Sequence, residues 1–245
     1  MTGSSEARLE ILANPEALAC RVADWLLAAA TAREGTVAIA LAGGSTPRRL
    51  YERLAGSSCR DTLPWSRTHW FWTDERFVSR DDASSNYRMA REAMLSRVSI
   101  PAANIHPIPT EGMTPEAAAS DYERELKAFY GAGRFDPARP LFDVTLLGLG
   151  QDGHTASLFP GTPVLGERNR WVAAVVGAAS EPRITLTYPA LESSRYAAFV
   201  ISGAEKRSAL RGLRRGDSDL QAARLHPGGA LCVFADAAAA GATQS

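Results

Sequence analysis

From Pro15 to Ala32 apolar residues recur at Ala17, Leu18, Val22, Trp25, Leu26 and Ala29, the spacing of one helical face, with proline in the first turn. The pattern then changes to TVAIALAGG (36–44), a β-branched and apolar run closed by glycines, which predicts a buried strand. Residues 46–55 predict a helix, THWFWTD (68–74) an aromatic-rich strand, and 84–95 a helix whose start offers Ser84 and Ser85 as caps. TPEAAASDYERELKAFY (114–130) predicts a helix opened by threonine and proline, with acids in its early turns. FDVTLLGLG (142–150) reads as a further strand. Strands are also predicted at 171–177, 183–187, 196–202 and 230–235, with a helix at 204–213. The alanine-rich tail after Phe234 is expected to fray.

Alternation of strand and helix from end to end predicts an α/β fold with a mostly parallel, doubly wound sheet flanked by helices. At 245 residues, one domain covering 1–245 is expected. In such sheets ligands bind beyond the carboxyl ends of the strands, so the residues that follow each strand carry the candidate chemistry.

Charge narrows the partners. The chain has 27 basic and 27 acidic residues, so it lacks the basic excess of a nucleic-acid or membrane-surface binder, and any anion site must be local. Cys20, Cys59 and Cys232 are odd in number and far apart, with no C-x-x-C; Cys20 and Cys232 read as core thiols of a reducing compartment. The N-terminal MTGSSEARLE shows no signal-peptide pattern, and no apolar run is long enough to span a bilayer. A cytoplasmic protein is expected, with no nucleic-acid or membrane partner, as a monomer or small homo-oligomer.

Three strand ends stand out. After the first comes Gly43-Gly44-Ser45-Thr46-Pro47, where adjacent glycines and a following helix offer amides, two hydroxyls and a helix N-terminus, a pattern that suits phosphate. The same residues also read as a plain glycine turn, with Thr46 capping a helix that begins at Pro47. After the second strand, Thr73-Asp74-Glu75-Arg76 offers two carboxylates and a guanidinium, either a base with a phosphate clamp or a solvated ion pair. Asn86, just beyond, reads as a helix-start residue or a ligand contact.

The densest signal is GLGQDGHTASLFPG at 148–161. His154 is the natural proton carrier near neutral pH, Asp152 can orient it or shape the loop, and Gly150 and Gly153 leave backbone amides to hold an oxyanion. Gly148, Gly150 and Gly153 also satisfy G-x-G-x-x-G, but Pro160 and Pro163 interrupt the helix a dinucleotide site requires. Two basic groups complete the set: Arg183 at the start of RITLT, and Lys206, one of only two lysines in the chain, near the start of the helix after YAAFVIS. No H-E-x-x-H, G-x-S-x-G or Walker A sequence is present, so neither metal nor covalent serine chemistry has support.

LAGGSTP (41–47), TDERFV (73–78), SSN (84–86), LLGLGQDGHTASLFPG (146–161), RITLT (183–187) and GAEK (203–206), in this order, resemble the 6-phosphogluconolactonases. The resemblance implies a Rossmann-like sheet shared with glucosamine-6-phosphate deaminases and ribose-5-phosphate isomerases. It also implies a phosphorylated sugar lactone, 6-phospho-D-glucono-1,5-lactone, as the small-molecule partner, with hydrolysis to 6-phospho-D-gluconate in the oxidative pentose phosphate pathway and neither cofactor nor metal. His154 would be the proton-transfer residue, with Asp74 assisting. Gly43, Gly44, Ser45, Thr46, Arg76, Asn86, Arg183 and Lys206 would surround the substrate and its phosphate. Two alternatives use the same loops. One is a glucosamine-6-phosphate deaminase-like isomerase, disfavoured because Thr-Ala-Ser-Leu-Phe-Pro, not an Asn-Glu pair, follows Asp-Gly-His; the other is a non-catalytic sugar-phosphate-binding regulator.

Overall fold

In the computed structural model, which describes residues 8–242, the chain order is β1 (Arg8–Leu12), α1 (Pro15–Thr31), β2 (Val37–Leu41), α2 (Ser45–Leu54), α3 (Ser57–Arg60), β3 (Thr68–Trp72), β4 (Asp74–Arg76), α4 (Asn86–Ala93), α5 (Pro115–Tyr130), β5 (Phe142–Leu147), β6 (Val172–Val175), β7 (Arg183–Leu186), α6 (Tyr188–Glu192), β8 (Ser194–Ile201), α7 (Arg207–Arg215), β9 (Ala230–Asp236) and α8 (Ala237–Ala240). Residues 1–7, most of the stretch on which the signal-peptide expectation rests, lie outside the described residues, as do 243–245. No helix among the described residues is long and apolar enough to cross a membrane.

Six strands form one parallel sheet in the order β1-β9-β8-β5-β2-β3. All five residues of β2 are buried, as a central strand covered on both faces requires. From β2 the chain steps outward to β3 on one side, while β5, β8 and β9 extend the sheet on the other. The strand order therefore reverses between β2 and β5, and the crevice beyond their carboxyl ends is the topological switch point where such sheets bind ligands. The glycines after β2 and the His154 loop after β5 flank that crevice.

Local chemistry sets the helix starts. Asn14 caps α1 by accepting from the Ala17 amide at 2.9 Å, and Leu18, Val22 and Leu26 bury one face. Thr114 caps α5 in the same way, ahead of Pro115.

The structure departs from the sequence reading in several places. The run 68–74 is not one strand: β3 ends at Trp72, and β4 leaves for a second, antiparallel sheet of order β4-β7-β6. Thr73 is the joint, its amide donating to Leu41 of the large sheet (2.9 Å) and its carbonyl accepting from Leu186 of the small one (2.8 Å). Accordingly 172–175 and 183–186 belong to the small sheet and not to the parallel one. An edge strand, β1, pairs with β9 ahead of the first predicted helix. The tail does not begin to fray at Phe234: β9 runs to Asp236, whose carboxylate caps α8 through the Ala239 amide at 2.7 Å. Of the cysteines, Cys59 and Cys232 are buried and Cys20 is only partly so, and all three are free.

Candidate active site

The switch-point crevice is a cleft of about 350 Å³, a size that takes a small metabolite. Its walls include Gly43, Gly44, Asp74, Arg76, Asn86, Gly150, His154, Arg183 and Lys206 of the expected residues, together with Thr73, Gly148, Leu149, Thr155, Ala156, Ser157, Phe159 and Ala179. A larger groove of about 710 Å³ runs past Tyr87, Ile105 and Arg124, but it lies away from the switch point and holds none of the expected groups.

His154 sits on the turn after β5, partly exposed, with its ring 4.6 Å from that of Phe159. Its Nδ1 lies 2.5 Å from Asp152 Oδ1, and the same oxygen accepts its backbone amide at 3.2 Å. A proton on Nδ1 donates to the carboxylate, which leaves Nε2 as the basic nitrogen. Burial would push the Asp152 carboxyl up, but the hydrogen bonds from the His154 ring and amide and the charge of its imidazolium hold it below the usual carboxylate range. Asp152 thus stays an anion and acts through His154 rather than lining the cleft. Gly150 is required beneath this pair, because a Cβ there would lie 2.2 Å from His154 Nδ1.

The oxyanion expectation for Gly150 and Gly153 fails on hydrogen bonding. The Gly150 amide donates to the His154 carbonyl at 2.8 Å and the Gly153 amide to the Gly150 carbonyl at 3.1 Å, so neither is available. Gly153 instead closes the turn at φ 85°, packed against Leu220. The amides of Thr155 and Ala156, on the cleft wall, donate to no acceptor among the described residues.

On the β2 side, α2 begins at Ser45, with Gly44 at the cap position (φ 104°) and no capping side chain, so the cap is Gly44 rather than Thr46. Gly43 and Gly44 line the cleft; Ser45 and Thr46 occupy the first turn of α2 beyond its wall. Their hydroxyls are therefore not among the groups lining it, and the glycine backbone is what α2 presents there. Gly43 admits the close approach of Asn86, since a Cβ would fall 2.0 Å from Asn86 Oδ1. Asn86 is buried at the first turn of α4 and donates from Nδ2 to the Asp74 carbonyl at 2.9 Å.

The two acids after β3 separate in role. Glu75 points away from the cleft and accepts the amides of Asn86 (2.7 Å), Tyr87 (2.7 Å) and Arg76 (2.8 Å), so it fixes the start of α4. Burial pushes its carboxyl up, against the pull of those amides. Asp74 lines the cleft, with Oδ2 accepting from Ser157 Oγ at 2.7 Å.

Arg76 and Arg183 are paired in register across β4 and β7. Both Nε atoms are buried and have no hydrogen-bond partner among the described residues. Arg76 Nη1 donates to the Ser84 carbonyl, and Arg183 has one loose contact, 3.8 Å to Glu181. Burial, then the charge of Arg76, lowers the Arg183 pKa from its usual value. Unpaired donors on two adjacent cations mark a place for an anion. Lys206 joins them on the cleft wall, its ammonium without a partner among the described residues. It is carried by a turn that Asp236 anchors through Ser202 Oγ (2.6 Å) and the Gly203 amide (3.2 Å). No cluster of His, Cys, Asp and Glu suited to a metal occurs among the described residues.

The sequence reading left Ser157 and Thr155 without a role although both stand in the His154 motif. The signal was there: two hydroxyl residues that follow a catalytic-type loop and are wholly or almost wholly buried in the fold.

A family profile described as glucosamine-6-phosphate isomerases/6-phosphogluconolactonase matches residues 13–233. A curated 6-phosphogluconolactonase of Nostoc sp. is 42% identical over 239 residues, 94% of this chain and 96% of that one. One of Synechocystis sp. is 48% identical over 194 residues, 78% and 77%. Among solved structures, the 6-phosphogluconolactonase of Thermotoga maritima superposes with a TM-score of 0.81 at 30% identity, covering 94% of this chain and 99% of its own. A monomeric glucosamine-6-phosphate deaminase shares the fold, with a TM-score of 0.80 at 20% identity over 96% of this chain and 100% of its own. With the profile spanning most of the chain and relatives this similar over most of their length, the chain belongs to the glucosamine-6-phosphate isomerase/6-phosphogluconolactonase family.

Proposed function

We propose that this chain hydrolyses 6-phospho-D-glucono-1,5-lactone to 6-phospho-D-gluconate, the ring-opening step of the oxidative pentose phosphate pathway. The observation that carries the reading is one cleft holding both an oriented imidazole, His154 on Asp152, and two guanidiniums with unsatisfied buried nitrogens, Arg76 and Arg183.

The phosphate lies between the Arg76–Arg183 pair and the Gly43–Gly44 backbone at the start of α2, with Lys206 adding charge. This seats the lactone carbonyl against the His154 turn. Nε2 of His154 takes a proton from water as the water oxygen attacks C1. The negative charge that develops on the carbonyl oxygen meets the free amides of Thr155 and Ala156. The imidazolium, stabilised by Asp152, returns the proton to the ring oxygen as the ester bond breaks. Asp74, fixed by Ser157 and beside Asn86, accepts hydrogen bonds from the sugar hydroxyls and shares the proton traffic. An ester at the lactone oxidation level needs a base and a positioned water, so these residues account for the reaction without a cofactor. The three unpaired thiols fit a reducing, cytoplasmic setting.

The deciding assay follows acid release from the phosphorylated lactone by the purified chain, corrected for spontaneous opening, beside ammonia release from glucosamine 6-phosphate. Lactone hydrolysis without ammonia release is expected. Ammonia release alone, or binding of 6-phosphogluconate with no turnover of either substrate, would overturn the assignment.

A further inference from the structure

Ser157 makes two hydrogen bonds to a single rung of the small sheet. Asp74 and Thr185 are opposed in the β4–β7 register. The Ser157 hydroxyl donates to Asp74 Oδ2 at 2.7 Å, and the Ser157 amide donates to Thr185 Oγ1 at 3.2 Å. Ser157, Thr185 and Thr73 are fully buried, and among the described residues no other side chain donates to the Asp74 carboxylate within 3 Å, the Thr73 hydroxyl standing at 3.4 Å. The Arg76–Arg183 rung lies two residues along each strand, so side-chain alternation puts it on the same face as the Asp74–Thr185 rung. The residue before Ser157 is held against its own preference. Ala156, at φ 48°, is the one non-glycine residue among those described with a left-handed backbone. Ala156 stands two residues after His154.

We infer that Ser157 is a positioning residue: it docks the His154 turn onto the sheet face that carries the two guanidiniums, and so sets the span between the proton acceptor and the phosphate anchor. This rests on the lactonase reading. Without the two hydrogen bonds the far side of Ala156 keeps only the Leu158 amide on the Thr155 carbonyl (3.0 Å) and the buried Leu158 side chain, neither of which ties it to the Asp74–Thr185 rung, and the turn that carries His154 drifts while the Arg76–Arg183 rung, built from strand pairing, stays where it is. The loss then falls on the chemical step rather than on binding, because the anchor that captures the substrate is intact. A side chain that merely filled core space would lower thermal stability and leave the kinetic constants of the folded enzyme unchanged.

The test compares wild type with Ser157→Ala and, separately, Thr185→Val, which is close in shape and removes the acceptor for the Ser157 amide. Initial rates on the phosphorylated lactone give kcat and KM, and circular dichroism identifies the folded fraction. Ser157→Ala is expected to lower kcat about 10- to 100-fold with KM within about threefold of wild type. Thr185→Val is expected to shift kcat in the same direction by a smaller factor, and it decides the question should Ser157→Ala not fold. Folded variants that keep the wild-type kcat, or that raise KM at unchanged kcat, overturn the positioning role. An inactive wild type overturns the lactonase assignment itself, so the two failures are told apart.

Discussion

Arg76 and Arg183 face each other across one rung of an antiparallel strand pair, two cations where cross-strand pairs are ordinarily neutral or of opposite charge. Their buried Nε atoms have no partner among the described residues. The fold holds this repulsion because the strand register imposes it, and a bound dianion converts it into charge-assisted hydrogen bonding. Arg183→Ala is therefore expected to raise KM for the phosphorylated lactone by about 10- to 100-fold with kcat within about threefold. The same change should not lower Tm in phosphate-free buffer, since it removes the repulsion. Inorganic phosphate should raise the wild-type Tm and leave an Arg76→Ala/Arg183→Ala protein unmoved, a comparison made by thermal shift.

Asp152 predicts a pH signature. Its carboxyl is held below the usual range, so it stays ionised to lower pH than an ordinary carboxyl. The acid limb of kcat/KM accordingly reports His154 rather than Asp152. Asp152→Asn removes the negative charge that favours the imidazolium, so the limb should move to lower pH. Near neutrality kcat should drop by roughly 10- to 100-fold, because the amide no longer stabilises the imidazolium formed in the reaction. Rates measured from acid to neutral pH check both. A limb that stays put in the variant would mean that Asp152 does not act on the imidazole.

Gly43 and Asn86 should be energetically coupled. A methyl on Gly43 would collide with Asn86 Oδ1 at 2.0 Å and displace the side chain that holds the Asp74 carbonyl. Gly43→Ala in the wild-type background is expected to reduce kcat/KM by about tenfold or more, with a loss of stability of about 1–3 kcal/mol. In an Asn86→Ala background the same substitution should cost much less, because the obstacle is gone. A double-mutant cycle reads the difference, and additive effects would contradict the contact.

Much of this site is legible in the chain because the residues that follow central strands are contiguous in sequence. GGSTP after β2 and the Gly-Asp-Gly-His turn after β5 each announce themselves locally, and the parallel order brings them together. What is hidden depends on pairing at a distance. Residues 172–175 and 183–186 carry the same apolar signal as the central strands, and nothing in their composition reveals that they leave the large sheet to pair with Asp74–Arg76. The short, half-exposed β1 lacks a buried run altogether and is recognisable only by its partner, β9. The direction of an amide is likewise absent from sequence: Gly150 and Gly153 have the conformational freedom an oxyanion site needs, yet their N–H groups close the turn. Ser157 stands in plain view in the motif, but its partner Asp74 is 83 residues away. The capped end of α8 was readable, with aspartate ahead of four alanines, once Asp236 is taken as an N-cap.

The proton-transfer role of His154 is tested most directly by kcat/KM for the phosphorylated lactone in wild type and His154→Asn, each corrected for spontaneous opening and each shown to bind 6-phosphogluconate. A fall of about a hundredfold or more with product binding retained is the expected result. A variant that binds the product and hydrolyses the lactone at the wild-type rate would contradict it.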